Sequence, residues 1–154
     1  MWDVNTCECL KTLACHKKWI NGLIYKNDLV YSCSSDSLIK AWDFKRSNRY
    51  VKVFSGHKDA VVCLVSMPNS VMIASSSWDK TVKLWDTNLC ACLKTLTCAN
   101  HISCLAFDSE SSAMLTSCMV FDRNLIRFLD VNKGLSLKNL KTNHQGTIST
   151  FVIN

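Results

Sequence analysis

The sequence predicts an all-β protein built from a repeated unit of four strands, and three sets of residues that recur at one spacing predict it. Trp-Asp pairs occur at residues 2–3, 42–43 and 85–86, and a Leu-Asp pair follows at 129–130, at intervals of 40, 43 and 44 residues. The four histidines are 41, 44 and 43 residues apart, and an aspartate lies six residues before each of Trp42 and Trp85. A period of about 40–45 residues indicates units that bury their cores against one another.

The first complete repeat contains four short segments of β-forming residues. They cover residues 20–25, 29–32, 38–42 and 50–54, and turn-forming stretches such as Lys26-Asn27-Asp28 separate them. Short runs rich in β-branched and aromatic residues between turn signals are typical of strands. We therefore predict four strands in this repeat.

The next two repeats have the same order of segments. Strands are predicted at 61–65, 71–75, 81–85 and 91–96 in the second, and at 102–107, 113–116, 125–129 and 135–140 in the third. The repeats so defined cover 14–54, 55–96 and 97–140. The end of one unit at 1–13 precedes them, and the start of another at 141–154 follows.

The segment Ser77-Trp78-Asp79-Lys80-Thr81-Val82-Lys83-Leu84-Trp85-Asp86 and its counterpart ending at Trp42-Asp43 resemble the WD40 family, and the resemblance covers essentially the whole chain. It implies a β-propeller of four-stranded blades. Closed propellers have about 4–8 blades, which at this repeat length requires roughly 160–340 residues. We expect the 154 residues to form an incomplete arc, a fragment of a larger propeller, with about three full blades and partial blades at both ends.

The resemblance also implies a hydrogen-bonded tetrad in each blade, made of the repeat histidine, a serine or threonine of the second strand, the turn aspartate and the tryptophan. Burial suits this set, because an aspartate can fix the histidine ring and the indole N–H finds an acceptor. Two serines compete for one place in each blade: we place Ser34 and Ser77 there, with Ser32 and Ser75 as alternatives. The other members are His16, Asp36 and Trp42 in the first full repeat and His57, Asp79 and Trp85 in the second.

The third repeat departs from this pattern. Leu129 replaces the tryptophan, and Asp122 lies seven residues before it instead of six. We expect an incomplete tetrad and a looser blade, in which Leu129 still fills apolar volume.

The ten cysteines and four histidines raise the question of a metal site. Cys7-Glu8-Cys9 and Cys90-Ala91-Cys92 stand at the same phase of two repeats, so the fold separates them instead of gathering them around zinc. Cys63 and Cys104 share a phase on the first strand, where a small buried residue packs well. We therefore predict core or strand cysteines, and neither a metal nor a cofactor.

No catalytic residue is predicted. A catalytic Cys or Ser is commonly activated by a neighbouring His, but the repeat gives every histidine a structural explanation. A Gly-x-Ser-x-Gly elbow, a Gly-rich phosphate loop and a His-Glu-x-x-His motif are absent from the sequence. We therefore expect a protein that is not an enzyme.

The net charge is +6, and most of the basic excess lies in residues 1–58, which hold ten of the 18 Lys and Arg residues against five of the 12 Asp and Glu residues. The largest basic group is Lys45, Arg46 and Arg49 in one loop. Such a group is either a solvated loop or a contact for phosphate. The sequence contains neither a run of 18 apolar residues nor a secretory signal. We therefore expect free thiols and a cytoplasmic location, with the nucleus as the alternative.

The WD40 resemblance implies a non-catalytic scaffold that binds other proteins or peptides through the loops at the ends of the blades. Candidate contacts are residues that the repeat does not explain, and exposed aromatic and arginine side chains are frequent hot spots. For Trp78, burial between blades is the alternative. The candidates are Trp19, Lys45, Arg46, Arg49, Tyr50 and Trp78.

Two other functions stay open. The order of the repeats, which ends with Leu129-Asp130 in place of Trp-Asp, is similar to the propeller of BEACH-domain proteins, which implies signalling or membrane trafficking and peripheral membrane association through a larger complex. The charge of +6 also allows a module that binds anionic lipid or nucleic acid, although its basic residues do not cluster as a nucleic-acid groove requires. Exposed edge strands would favour self-association.

Overall fold

The computed structural model contains three successive four-stranded antiparallel sheets, and no helix occurs among its described residues. The described residues contain no helix with the length and hydropathy needed to cross a membrane. The predicted features at Arg46, Arg49, Asp122 and His144, and the repeat predicted to start at 141–154, lie outside the described residues except for Lys141. The described residues are 2–14, 16–43, 45, 50–108, 113–118, 125–130, 133 and 136–141.

Each sheet consists of four consecutive strands whose spatial order is the chain order, so hairpins make every connection within a sheet. We call the sheets blades 1, 2 and 3. Blade 1 contains β1 (Ile20–Lys26), β2 (Leu29–Ser34), β3 (Ile39–Trp42) and β4 (Tyr50–Phe54). Blade 2 contains β5 (Val61–Ser66), β6 (Met72–Ser77), β7 (Thr81–Asp86) and β8 (Ala91–Thr97). Blade 3 contains β9 (Ile102–Asp108), β10 (Ala113–Cys118), β11 (Leu125–Asp130) and β12 (Ser136–Lys141).

The twelve strands agree with the predicted segments, and their ends differ by no more than two residues. The second strand of each blade shows the largest difference, because it continues for two residues beyond the predicted end. Its last residue pairs with the start of the first strand in blades 1 and 2, as Ser34 does with Ile20 and Ser77 with Val61. The β-ladder therefore reaches the turn that carries the aspartate.

The blades pack side by side through their first strands, since β1 contacts β5 and β5 contacts β9. Successive side chains of a strand point to opposite faces, so blade 2 fills two interfaces. Val82 and Leu84 join the core shared with blade 3, whereas Trp85 and Ile73 join the core shared with blade 1. Alternation along the strands of blade 2 thus joins the three blades.

Each interface has its own buried apolar cluster, which stabilises the packing by removing apolar surface from water. Between blades 1 and 2 the cluster comprises Tyr31, Cys33, Ile39, Ala41, Phe54, Val61, Leu64, Ile73 and Trp85. Between blades 2 and 3 it comprises Met67, Ala74, Val82, Leu84, Leu96, Cys98, Ile102, Leu105 and Leu129.

Three sharp turns shape the ends of blades 1 and 2. Asn27 and Asp28, between β1 and β2, both have positive φ angles of 50° and 60°, as a two-residue type I′ hairpin requires. Ser37 and Lys80 occupy the same place in the turns after β2 and β6, with φ angles of 68° and 66°. The turn next to each tetrad aspartate therefore has the same backbone conformation in blades 1 and 2.

Blade 3 uses Leu129 in the tryptophan position as an apolar core residue. Leu129 is buried in the cluster between blades 2 and 3, which agrees with the expectation that it fills apolar volume. A leucine cannot donate the hydrogen bond of an indole, so the complete tetrad of blades 1 and 2 cannot form in blade 3.

Candidate functional site

Four side chains of blade 2 form one continuous chain of hydrogen bonds. Trp85 Nε1 donates to Ser75 Oγ over 2.8 Å, and Ser75 Oγ lies 2.7 Å from His57 Nε2. His57 Nδ1 lies 2.8 Å from Asp79 Oδ2. Because a carboxylate can only accept, His57 Nδ1–H donates to Asp79 and His57 Nε2 accepts from the Ser75 hydroxyl. Every polar atom of the chain therefore has a partner, as burial requires.

Blade 1 repeats this chain with matching geometry. Trp42 Nε1 donates to Ser32 Oγ over 2.8 Å, and Ser32 Oγ lies 2.8 Å from His16 Nε2. His16 Nδ1 lies 2.9 Å from Asp36 Oδ2. Both histidine side chains are almost fully buried, so neither is accessible for chemistry with a substrate.

The serine in both tetrads differs from the sequence-based placement, and the choice of Ser34 and Ser77 was wrong. Ser32 and Ser75 occupy the position, because each lies within its strand at a point where one hydroxyl reaches both the indole and the imidazole. Ser34 and Ser77 are the last residues of β2 and β6. At that end of the strand their hydroxyls contact the turn and the preceding loop instead.

Ser34 and Ser77 connect the aspartate turn to the loop before the first strand. Ser34 Oγ accepts from the Asp36 amide over 3.0 Å and donates to the Lys18 carbonyl over 3.3 Å. In blade 2, Ser77 Oγ accepts from the Asp79 amide at 3.0 Å and donates to the Asp59 carbonyl at 3.1 Å. These serines therefore position a loop at the surface.

The tetrad aspartates are held in their charged form. Burial alone would raise the pKa of Asp79, but hydrogen bonds from Thr81, the Lys58 amide and His57 outweigh burial and lower it to about 2. The pKa of Asp36 is also lowered, because hydrogen bonds from His16 and backbone amides outweigh burial. Burial lowers the pKa of His57 in spite of the neighbouring carboxylate, so a neutral imidazole faces a carboxylate.

Acidification is expected to destabilise the protein through this pair. The folded-state pKa values of His57 and Asp79 both lie below their ordinary values of 6.5 and 3.8, so the unfolded chain binds protons first as the pH falls. Stability should be greatest above about pH 6.5 and should decrease first through His57 protonation and then, below about pH 4, through Asp79. Urea unfolding between about pH 7 and 5 measures the first step, and His57→Gln should reduce its slope. An unchanged slope in that variant would contradict the assignment.

Three backbone groups of the loop before the first strand are fixed in the same way in blades 1 and 2. The tetrad aspartate accepts from one amide, the terminal serine of the second strand donates to the next carbonyl, and a turn amide donates to the third group. In blade 1 these groups are Lys17 N (3.0 Å), Lys18 O (3.3 Å) and Trp19 O (2.9 Å). In blade 2 they are Lys58 N (2.9 Å), Asp59 O (3.1 Å) and Ala60 O (3.0 Å).

A surface groove of about 620 Å³ lies between these two loops, and we call it the interblade groove. Trp19 contributes an indole that is 85% exposed, and Trp78 contributes one that is 49% exposed. Trp78 is held at both backbone atoms, because its amide donates to the Ala60 carbonyl and its carbonyl contacts His101 Nδ1 of blade 3. The groove is lined by His16, Lys17, Lys18, Trp19, Ser35, Asp59, Ala60 and Trp78.

The pairing of two indoles follows from where the repeats differ. In each blade, one backbone hydrogen bond joins the loop before the first strand to the turn after the second strand. It joins Trp19 to Ser35 in blade 1 and Ala60 to Trp78 in blade 2. Trp19 and Ala60 occupy one position of the repeat, and Ser35 and Trp78 occupy the other. Each blade therefore has one tryptophan in this pair of positions, but on opposite sides of the contact. Side-by-side packing of the blades brings the two indoles to one groove.

The charges of the interblade groove are unequal on its two sides. Lys17 and Lys18 belong to blade 1, and neither has an ion-pair partner in the described part of the chain. Asp59 belongs to blade 2, and its Oδ1 accepts from the Ala60 amide over 2.7 Å. The blade 1 side of the groove is therefore cationic.

The structure places Trp19 and Trp78 together but does not bring the other described candidates to the groove. Lys45 Nζ lies 2.6 Å from Asp28 Oδ1, beyond the end of β1 that is remote from Trp19. The hydrogen bond with Asp28 raises the pKa of Lys45. Tyr50 packs edge-on against Trp42, with ring centroids 6.0 Å apart, and the Lys40 ammonium lies over its ring.

A second cavity, of about 610 Å³, lies between the segment around Trp2 and the open face of blade 1. Leu23, Tyr25 and Trp42 line it. The face of blade 1 that lines this cavity is the counterpart of the face of blade 2 that packs against blade 1. The cavity therefore resembles the space between two packed blades and not a site at the loops.

Cys7, Cys9, Cys33, Cys63, Cys90 and Cys92 are free, and within the described residues no three His, Cys, Asp or Glu side chains group as metal ligands. Burial raises the pKa of Cys33 to about 12. A hydrogen bond with Cys104 lowers the pKa of Cys63 to about 7. Cys63 and Cys104 lie on β5 and β9, the strands through which blades 2 and 3 pack.

The sequence-based reading missed Lys17, Lys18 and Asp59 as groove residues. Each directly follows a repeat histidine or its neighbour, and the tetrad aspartate fixes that segment in both blades. An alignment of the two repeats on their histidines could have identified these residues. In it, Lys18 and Trp19 occupy the positions of Asp59 and Ala60 in the next repeat.

Comparison with known sequences and structures agrees with this architecture. The family model described as "WD domain, G-beta repeat" matches residues 7–43 and 48–86. A chain in the crystal structure of a mitotic checkpoint complex superposes with a TM-score of 0.82 at 23% identity, over 94% of this chain and 44% of that one. The fold is therefore shared with a solved structure.

Curated relatives are similar over part of their length. Nuclear distribution protein PAC1 of Arthroderma otae is 29% identical over 97% of this chain, and eukaryotic translation initiation factor 3 subunit I of Aspergillus fumigatus is 28% identical over 79%. The CCR4-associated factor 4 homolog of Candida glabrata is 30% identical over 62%. The chain spans 37%, 37% and 18% of these relatives. Residues 7–43 and 48–86 are therefore WD repeats, and the chain has the all-β fold of a WD40 propeller.

Proposed function

We propose that this chain is a non-catalytic scaffold for protein interactions, and that partner proteins dock in the interblade groove. The observation that carries the proposal is the presence of two exposed indoles, Trp19 and Trp78, on fixed backbones at one groove. Tryptophan is among the residues most often found as interface hot spots.

The free energy available from the two indoles is substantial. Burying apolar surface contributes roughly 25 cal/mol per Å², and an aromatic side chain buries on the order of 150–250 Å² when it is covered. Trp19 is almost fully exposed in the structure, so a partner that covers it gains most of this area.

The rigidity of the groove favours binding. The loops that carry Lys17, Lys18 and Trp19 are fixed by three backbone hydrogen bonds before any partner arrives. A site ordered in advance loses less conformational entropy when it binds, which leaves more of the contact energy as affinity. The tetrads therefore serve the docking surface as well as the fold.

Two further observations support a scaffold instead of an enzyme. His16 and His57 are occupied in tetrads, and His101 contacts the Trp78 carbonyl, so each described histidine has a partner within the fold. The names of two relatives describe a subunit of a translation initiation factor and a CCR4-associated factor, and each name states an association with another component.

We propose a cytoplasmic or nuclear location for this scaffold. Cys7, Cys9 and Cys92 are free and exposed. Free thiols persist in the reducing cytosol and nucleus, whereas secreted domains usually form disulfides.

We also keep, as a narrower proposal, a role in the propeller of a BEACH-type signalling or trafficking protein. Its support is the repeat order, in which the third repeat has Leu129-Asp130 in place of Trp-Asp. The transcript that encodes the chain tests this proposal, because it should encode a BEACH domain before the propeller. A transcript without one would refute it.

Photo-crosslinking in cells tests the docking function. A benzophenone amino acid is introduced into the full-length protein at position 19 or 78, and as a matched control at Leu89. Leu89 is also exposed, but it lies beyond the end of β7 remote from Trp78. Light-dependent adducts with one or more discrete proteins are expected at positions 19 and 78 and not at 89. Equal adducts at 89, or none at 19 and 78, would contradict the proposal.

A further inference from the structure

We infer that the interblade groove binds an acidic segment of its partner, in which carboxylates alternate with an aromatic or large aliphatic side chain. This inference rests on the proposed docking function and adds the chemistry of the occupant. It stands on charge complementarity at the blade 1 side of the groove and on the apolar faces of Trp19 and Trp78.

The cationic side chains of the groove are available to a partner. Lys17 and Lys18 are exposed, and no carboxylate in the described ranges pairs with either ammonium group. Lys45, by comparison, is neutralised by Asp28 at the remote end of the blade. The lysines of the groove therefore retain their charge for an incoming anion.

The acidic residues nearest to the lysines cannot easily neutralise them. Asp36 accepts hydrogen bonds from His16 and from the amides of Lys17 and Leu38, so its carboxylate is turned into the blade. Asp79 is held in the same way by blade 2. Asp59 is the only carboxylate among the described lining residues, and it lies on the blade 2 side.

The indoles require an apolar component beside the charge. Trp19 and Trp78 expose aromatic faces next to Lys17 and Lys18, so a purely acidic segment would leave those faces uncovered. Aromatic pairs contribute about 0.5–1.5 kcal/mol beyond the area they bury. A segment that presents an aromatic side chain between two carboxylates satisfies both parts of the groove.

The same features favour a peptide over a nucleic acid. A nucleic-acid site needs a series of cationic side chains that follows the backbone phosphates. The groove instead has two lysines opposed by Asp59, and it is bounded by the loops of two blades. An acidic peptide needs only local pairing with Lys17 and Lys18.

Fluorescence polarisation of labelled peptides with the full chain tests the inference. The probe contains four Glu-Glu-Phe units, and the matched controls replace every Glu with Gln, every Glu with Lys, or every Phe with Gly. We expect the Glu-Glu-Phe peptide to bind, and each control to bind at least about tenfold more weakly, because each lacks one of the two contacts. Its affinity should also decrease as salt rises, since the charges are at the surface.

Charge-changing variants of the chain test which side chains of the groove bind the peptide. Lys17→Glu with Lys18→Glu should weaken binding of the Glu-Glu-Phe peptide by about tenfold or more, whereas Asp59→Asn should strengthen it. Lys133→Glu makes the same kind of change at an exposed residue in the turn between β11 and β12, and it should leave the affinity unchanged. Circular dichroism melting of each variant checks that the fold is kept.

Three outcomes would overturn the inference. Equal binding of the Gln and Glu peptides, with loss in Trp19→Ala and Trp78→Ala, would leave the docking function in place but reject an acidic partner. Tighter binding of a uridine oligonucleotide or of phosphatidylserine vesicles, lost in the double lysine variant, would assign the groove to another class of ligand. The absence of binding by every peptide would reject the acidic segment, while the crosslinking at positions 19 and 78 would still decide the docking function separately.

Discussion

Trp85→Ala is expected to lower the free energy of unfolding by about 3–5 kcal/mol, the range typical of large-to-small changes at a buried aromatic residue. Trp85 is 1% exposed, and its ring packs against Phe54 and His57 at centroid distances of 5.9 Å. Its removal creates a cavity in the core between blades 1 and 2 and also leaves Ser75 Oγ without its indole donor. Urea unfolding followed by circular dichroism measures the change.

Trp85→Phe separates the two contributions. Phenylalanine keeps most of the apolar volume but cannot donate to Ser75, so a smaller loss of about 1–3 kcal/mol is expected. Trp2→Ala is the matched control, because Trp2 is exposed and an exposed substitution usually changes stability by about 0.5 kcal/mol or less. A Trp85→Ala variant as stable as Trp2→Ala would contradict the placement of Trp85 in the core.

Asp79→Ala is expected to cost about 1–3 kcal/mol, because it leaves buried donors without an acceptor. Asp79 accepts from His57, from the Lys58 amide and from both the amide and the hydroxyl of Thr81. Asp79→Asn should be destabilising as well, since an amide replaces an acceptor by a donor. Chemical denaturation of both variants provides the measurement.

Asp59→Ala is the matched control for this prediction. Asp59 lies at the same end of blade 2, but its side chain is at the surface groove and accepts from one neighbouring amide. We expect a change of about 0.5 kcal/mol or less. Comparable losses at positions 59 and 79 would indicate that the tetrad has no special role in stability.

The strands could be predicted from the sequence because they depend on local periodicity, and the tetrads could be predicted because the repeats resemble the WD40 family. Alternation and turn residues located all twelve strands within two residues. The WD40 resemblance implied a tetrad of His16, Asp36 and Trp42 with a serine, and the structure joins these three residues through hydrogen bonds.

The choice between two serines could not be read in the same way. Ser32 and Ser34 are two residues apart on one strand and therefore point to the same face. What separates them is the distance to Trp42 and to the turn, which depends on the register of β2 with β3. A pattern of residue types does not contain that distance, and the wrong serine was chosen in both blades.

The interblade groove was also beyond the reach of sequence patterns, because it depends on packing between repeats. Trp19 and Trp78 are far apart in the chain, and only the side-by-side arrangement of blades 1 and 2 brings them together. Lys45 shows the converse case. It resembled a docking residue in sequence, but a turn residue of the same blade, Asp28, pairs with it.

The structure divides the repeat residues into two roles that depend on each other. The tetrads stabilise the blades, and their aspartates and the neighbouring serines also fix the backbone of the loops that carry Lys17, Lys18 and Trp19. A change in a tetrad should therefore affect both stability and docking, whereas a change at Trp19 should affect docking alone.

Fluorine NMR of the chain labelled with 5-fluorotryptophan tests the docking groove most directly, because the chain has five tryptophans and each gives one resonance. The resonances are assigned by single Trp→Phe variants, and the chain is titrated with the Glu-Glu-Phe peptide. The docking groove predicts that the Trp19 and Trp78 resonances shift together with one dissociation constant, while those of the buried Trp42 and Trp85 do not. Shifts confined to Trp2, or saturation by the peptide with no change at Trp19 and Trp78, would contradict it.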